Sequence, residues 1–148
     1  MKLSKKSRYG ITALIDLSIH SKNGHVALNS IAERNCISPQ YLEQVFASLR
    51  RHGIVKSIKG AQGGYLLNVL ADNITVGDII EALDGTYKIE EEAVSAAEDS
   101  SVAEKVIQTA VVDKINEQLD NVLLNITLAD LESDYLEYNE YDEHMYYI

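Results

Sequence analysis

The sequence predicts a mainly α-helical protein with one small β-hairpin: a winged helix-turn-helix domain followed by a long dimerisation helix. Three observations predict it. Two amphipathic segments, 28–34 and 38–52, meet across the tight break "NCIS" (35–38). Two short apolar runs follow, joined by "KGAQGG" (59–64). A much longer amphipathic segment then spans 101–124. The chain of 148 residues is long enough to bury a core without covalent staples. It divides into a winged helix-turn-helix domain (1–85), an acidic connector (86–100), a dimerisation helix with a short following helix (101–131) and an acidic, tyrosine-rich tail (132–148).

The first helix rests on Ile11, Leu14 and Ile15, spaced as one helical stripe. Ser4 or Ser7 is expected to cap it. Lys5, Lys6 and Arg8 sit at its N-terminus, the end whose dipole disfavours cations, and an external anion would neutralise them. "SKNGHV" (21–26) is a turn, with Asn23–Gly24 tolerating positive φ. The next helix buries Leu28, Ile31 and Ala32 behind a poor cap, Ala27. Ser38 followed by Pro39 is a strong helix start, and Gly53 a stop. Leu42, Val45, Phe46 and Leu49 form the inward stripe of that third helix. Residues 54–58 and 65–69 are its companion strands.

Thr75 caps a further helix over 75–83, with Asp78 completing a capping box and Gly85 ending it. Residues 86–100 are poorly patterned and acidic, with "EEE" at 90–92, and read as a solvated connector. From Ser101 to Leu124, apolar residues recur at three- and four-residue steps from Val102 through Val106, Ile115 and Leu119 to Leu123. A helix this long beside a small domain packs most economically on a second copy of itself. Thr127 caps a last short helix, and five of the nine tyrosines lie between Tyr135 and Tyr147.

Charge is divided along the chain. The net charge is −10. Residues 1–64 nevertheless hold ten Lys/Arg against three Asp/Glu, a net of +7, and residues 65–148 hold three against twenty, a net of −17. A basic half of this kind is the footprint of a polyanion-binding face. On the third helix, Gln40 and Gln44 lie one turn apart, where glutamine pairs with adenine and Glu43 accepts from cytosine. Ser38 and Tyr41 reach phosphates or thymine methyls, and Arg50 and Arg51 suit phosphate. Gly63 and Gly64 allow a tight hairpin, and Lys59 at its tip suits a minor groove. Lys2, Lys5, Lys6 and Arg8 complete the phosphate grip. The expected partner is double-stranded DNA.

An enzyme is not expected. One cysteine, Cys36, and four scattered histidines (His20, His25, His52, His144) give no catalytic spacing and no metal site. The glycine pair is followed by a strand, unlike a phosphate-binding loop. No stretch approaches a membrane span, so a soluble cytoplasmic protein without membrane contact is expected.

The stretches "KLSKKSRYGITALIDL", "SIAERNCISPQYLEQVFASLRRHGIVKSIKGAQGGYLL" and "NITLADL" together resemble the bacterial winged-helix regulator family that includes the iron–sulfur cluster regulator IscR and the cysteine-metabolism regulator CymR. The match is close over 1–85 and looser over 101–131. Tyr41-Leu42-Glu43-Gln44 combined with Gly60, Gly63, Gly64 and Tyr65 is its specific part. The resemblance implies a homodimeric transcription factor, usually a repressor, reading its operator through Tyr41, Glu43 and Gln44. It implies a wing contact at position 59, where Lys59 replaces the arginine frequent in the family and loses the planar fork.

Cluster-binding members carry three cysteines ahead of the dimerisation helix. Here residues 85–110 contain neither cysteine nor histidine, so no cofactor is expected. The cluster-free branch resembles CymR and implies sulfur or cysteine genes as targets, with an O-acetylserine thiol-lyase as possible partner. The ending "DEHMYYI" suits such a partner: Tyr146 and Tyr147 for an apolar rim and the Ile148 carboxylate for an anion pocket. Two alternatives stand beside this reading. One is a protein-interaction module working through the acidic half. The other is a thiol-based redox sensor in which oxidation of Cys36 disturbs the third helix.

Overall fold

The computed structural model describes residues 3–89 and 101–146. Helix α1 (Lys5–His20) is capped by Ser4, whose hydroxyl accepts the Ser7 amide. Helix α2 (Leu28–Asn35) starts at Ala27 without a side-chain cap and ends at Cys36, a non-glycine residue at positive φ (55°). Helix α3 (Pro39–Arg51) begins as Ser38 accepts the Tyr41 amide, and Gly53, at φ 76°, follows its end. Strands β1 (Val55–Ile58) and β2 (Gly64–Leu67) pair antiparallel, with Val55 opposite Leu67 and Ile58 opposite Gly64. Helix α4 (Val76–Asp84) carries both bonds of the Thr75–Asp78 capping box.

These elements share one core. Phe46 and Leu42 on α3, Leu14 and Leu17 on α1, Ile31 on α2 and Ile79 on α4 are fully enclosed. Helices α1 and α4 come so close at Gly10 that a Cβ there would stand 2.3 Å from Leu83 Cδ1. This is a winged helix-turn-helix: α2 and α3 form the helix pair, and the β1–β2 hairpin is the wing.

The expected helix over 101–124 forms with one change. It runs as α5 (Val102–Ile107), a π-helical segment (Gln108–Val112) and α6 (Asp113–Leu123). Ser101 and Glu104 make a capping box at its start. Inside it, the Thr109 hydroxyl donates back to the Lys105 carbonyl at 2.9 Å, a bond that competes with the regular ladder. The π segment adds one residue to the turn. Val102, Val106, Val111 and Ile115 therefore stay in one row, and all four are exposed.

Two expectations are corrected. The connector is not wholly solvated: among its described residues, Tyr87 is buried and donates to Asp120 Oδ1 at 2.6 Å. Lys88 pairs with the same carboxylate, and Ile89 exchanges two hydrogen bonds with the Asn116 side chain. Burial and this carboxylate both push the Tyr87 hydroxyl far up. The acidic run 90–92, with Glu98 and Asp99, lies outside the described residues. The last helix is not short either: α7 runs from Leu128 to Tyr146. No glycine or proline interrupts that stretch, and its glutamates, leucines and methionine are helix formers.

After the long helix the chain returns to the core. Thr75 and Thr127 form an antiparallel bridge, and the Leu128 amide donates to the Ile74 carbonyl at 2.8 Å. Leu128 itself is fully buried. Glu132 on α7 takes the Ser18 hydroxyl at 2.6 Å and Lys22 at 3.0 Å, which ties α7 to α1.

Candidate nucleic-acid interface

The amphipathic split of α3 decides what it presents. Leu42, Val45, Phe46 and Leu49 are buried, which turns Gln40, Glu43, Gln44 and Arg50 outward to solvent. Arg51 is exposed as well, and its guanidinium donates to the Ser48 hydroxyl at 3.0 Å. At the N-terminal end, the Ser38 hydroxyl accepts the Tyr41 amide and donates to Gln40 Oε1 at 3.0 Å. The two glutamines are both exposed, yet the oxygen of Gln40 is engaged by the cap while Gln44 stands free of side-chain bonds among the described residues.

Tyr41 is only half exposed. Its ring meets Tyr9 edge-on, with centroids 5.7 Å apart, and Lys5 Nζ stands 5.4 Å from the Tyr9 ring. Lys5, Tyr9, Cys36, Ile37, Ser38 and Tyr41 line a groove of about 290 Å³ beside the start of α3. Cys36 is an exposed free thiol on the α2–α3 turn.

The cations at the start of α1 are partly answered from within. The Asp84 carboxylate, at the end of α4, accepts the Ser4 hydroxyl at 2.6–2.7 Å and also the Ser7 hydroxyl. A carboxylate at a helix N-terminus is favourable. Lys5 and Arg8 remain exposed, whereas Lys6 is half-buried and reaches Ser48 Oγ at 3.5 Å. Lys2 lies outside the described residues.

Strand β2 anchors the wing to the body. Tyr65 stacks edge-on against Phe46, with centroids 4.8 Å apart, and exchanges backbone hydrogen bonds with Val26 at 2.9 and 3.0 Å. A Cβ on Gly64 would meet the Val26 carbonyl oxygen at 2.4 Å, and one on Gly63 the Ile58 oxygen at 2.4 Å. Both glycines are thus required by close backbone approach. Lys59 is exposed at the start of the loop, and Gly60 adopts φ 122°.

Two contributors escape a reading by composition. Arg34, which the charge pattern counts in the basic half, is bound to Asp16: Nε to Oδ2 at 2.9 Å and Nη2 to Oδ1 at 2.7 Å, with Asn35 donating to the same carboxylate. The Asp16 hydrogen bond raises the guanidinium pKa against the opposing effect of burial. The signal was an aspartate on the inward face of α1, between Ala13 and Leu17, which demanded a basic partner. The second is His25, whose ring reaches the wing loop.

In the tail, Tyr146 closes α7, and Tyr147 and Ile148 lie outside the described residues. Asp134, Glu137, Tyr138 and Tyr141 line a shallow surface groove on α7. An iron–sulfur centre does not fit the donors present. The chain has a single cysteine, placed on the turn before α3, and no group of three potential ligands occurs among the described residues. No helix among the described residues is long and apolar enough to cross a membrane.

Comparison with known proteins places this geometry. The family profile described as "Rrf2: Iron-dependent Transcriptional regulator" matches residues 3–134. The HTH-type transcriptional regulator CymR of Bacillus subtilis is 41% identical over 148 residues, the whole of both chains. The HTH-type transcriptional regulator IscR of Erwinia tasmaniensis is 40% identical over 131 residues, 88% of this chain and 78% of that protein. Among solved structures, CymR (YrzC) of B. subtilis, described as its global cysteine regulator, superposes with a TM-score of 0.74 over 90% of this chain and 97% of that one, at 41% identity.

Proposed function

The chain belongs to the Rrf2 family of DNA-binding transcriptional regulators, and from that premise we propose that it acts as a cluster-independent homodimeric repressor of sulfur or cysteine genes. The observation that carries the reading is the presentation of α3. Its apolar side is fully buried, its cap is formed, and Gln40, Glu43 and Gln44 face outward beside a wing that bears Lys59. That is the form of a helix placed to read a major groove while a hairpin meets the flanking backbone or minor groove. Lys5, Lys6, Arg8, Arg50 and Arg51, with Lys2, supply phosphate contacts, and Ser38, Tyr41, Gly63 and Gly64 bring side chains or backbone to the duplex.

The exposed row Val102, Val106, Val111 and Ile115 supports a dimer through the long helix. The description of B. subtilis CymR, 41% identical to this chain over the whole of both, as a global cysteine regulator supports the target class. The spread of histidines and the single cysteine support a binding protein rather than an enzyme.

Selection of random duplex DNA by the metal-free protein tests the reading. A near-palindromic site is expected. Gln44→Ala and Lys59→Ala should each weaken it by roughly five- to hundredfold, Gln44→Ala with loss of base preference. Absence of an enriched site would overturn the cluster-independent reading.

We also propose that the C-terminal residues Tyr146, Tyr147 and Ile148 dock on an O-acetylserine thiol-lyase. Deleting 145–148 should abolish calorimetric binding to that enzyme, and undiminished affinity would exclude the contact.

A further inference from the structure

The wing consists of two four-residue strands, and a two-stranded hairpin of that size holds no fixed position by itself. Its base is fixed by Tyr65 against Phe46, by the backbone pair with Val26 and by the close approach at Gly64. The loop beyond the last pair, Ile58–Gly64, has no such support. It closes on itself through the Gly63 amide and the Gly60 carbonyl at 3.0 Å. Among the described residues, one hydrogen bond joins this loop to the rest of the protein: His25 Nε2 to the Gln62 carbonyl oxygen, 2.6 Å. A carbonyl only accepts, so Nε2 carries the proton. His25 itself sits on the turn after α1, between Gly24 at φ 148° and Val26, which pairs with the wing.

We propose that His25 is a positioning residue for the DNA-reading wing, holding the loop at Gln62 so that Lys59 meets the duplex in a fixed place. This rests on the wing reading above. The histidine acts through the loop it holds, not as a reader of the bases. It removes freedom from a loop that would otherwise have to be ordered at the moment of binding, and that ordering weakens binding. Glutamine places an N–H donor at similar reach, so His25→Gln is the conservative replacement and His25→Ala the disruptive one.

The test measures affinity of the full-length protein for synthetic operator duplexes carrying A·T or G·C pairs where the wing meets the minor groove. His25→Ala should lower affinity roughly three- to tenfold, the range of one hydrogen bond, and should reduce the A·T preference at the wing position only. Base preference under α3 should be unchanged, and His25→Gln should restore most of the loss. The double variant with Lys59→Ala should lose no more than Lys59→Ala alone. Multiplying losses, or full A·T preference in His25→Ala, would overturn the proposal while leaving the wing reading intact. A silent Lys59→Ala would overturn the wing reading and this proposal with it.

Discussion

Arg34 and Asp16 carry the clearest energetic consequence at the scale of single residues. Asp16 is 7% exposed and lies in an apolar helix face, where a bidentate guanidinium and an Asn35 amide surround its charge and His20 Nδ1 stands 3.4 Å away. Removing one member of such a pair leaves a buried charge unanswered. Arg34 is 38% exposed, and solvent screens its share. Arg34→Ala should therefore cost about 2 kcal/mol, below the cost of breaking a fully buried pair. Arg34→Lys should recover only part of it, because lysine lacks the fork. Urea unfolding of the three proteins checks this; an unchanged midpoint for Arg34→Ala would mean that Asp16 finds its compensation elsewhere. The same pair explains why counting positive charge overstates the surface open to DNA.

The attachment of α7 to α1 is the element-scale feature that depends on pH. Burial alone would raise the Glu132 carboxyl, but the hydrogen bonds from Ser18 and Lys22 outweigh it and hold the group below its ordinary value of 4.5. A carboxyl depressed in the folded state stabilises the fold above its unfolded value. That contribution is lost as pH falls through the folded one. Glu132→Gln should be less stable than the parent by roughly 1–2 kcal/mol near neutrality, with the gap closing below about pH 4.5. Paired urea titrations across that range would reveal it, and a gap independent of pH would refute the assignment. The elements themselves differ in how firmly their sequences declare them. Helix α3 has its cap, its proline and its stop written locally. The π turn at 108–112 coincides with a Thr109 hydroxyl bonded back to the Lys105 carbonyl, and apolar periodicity alone does not reveal it.

At the scale of the whole molecule, charge and apolar exposure are both segregated. Affinity for DNA should fall steeply with salt, since the proposed dimer would present two sets of phosphate contacts and each contact releases counterions. A slope of log K against log salt near zero would exclude this basic face as the binding surface. The long helix packs Leu119 and Leu123 against Val76, Ile80 and Tyr87 of its own chain. Its other side leaves Val106, Val111 and Ile115 exposed. A charge placed in that row should oppose self-association: Ile115→Glu is expected to weaken the proposed dimer roughly thirtyfold or more in sedimentation equilibrium. An undisturbed dimer would move the interface off this helix.

The sequence by itself determined those features whose causes are local. Caps at Ser38, Thr75 and Thr127, the stops at Gly53 and Gly85, and the apolar period of α3 each depend on neighbours a few residues away. The helix-turn-helix order and the outward glutamines followed from them. Tertiary structure decided which polar groups remained free for function. It ties Arg34 to Asp16, a residue 18 positions away, and fixes the wing loop through His25, while Lys5, Arg8 and Gln44 stay exposed. It also drew Tyr87 into the core from a segment with little local pattern. The physical reason is range. Backbone capping and periodicity act within a turn or two of chain, whereas the partner of a buried charge, or the carbonyl that fixes a loop, is chosen by packing between segments distant in sequence.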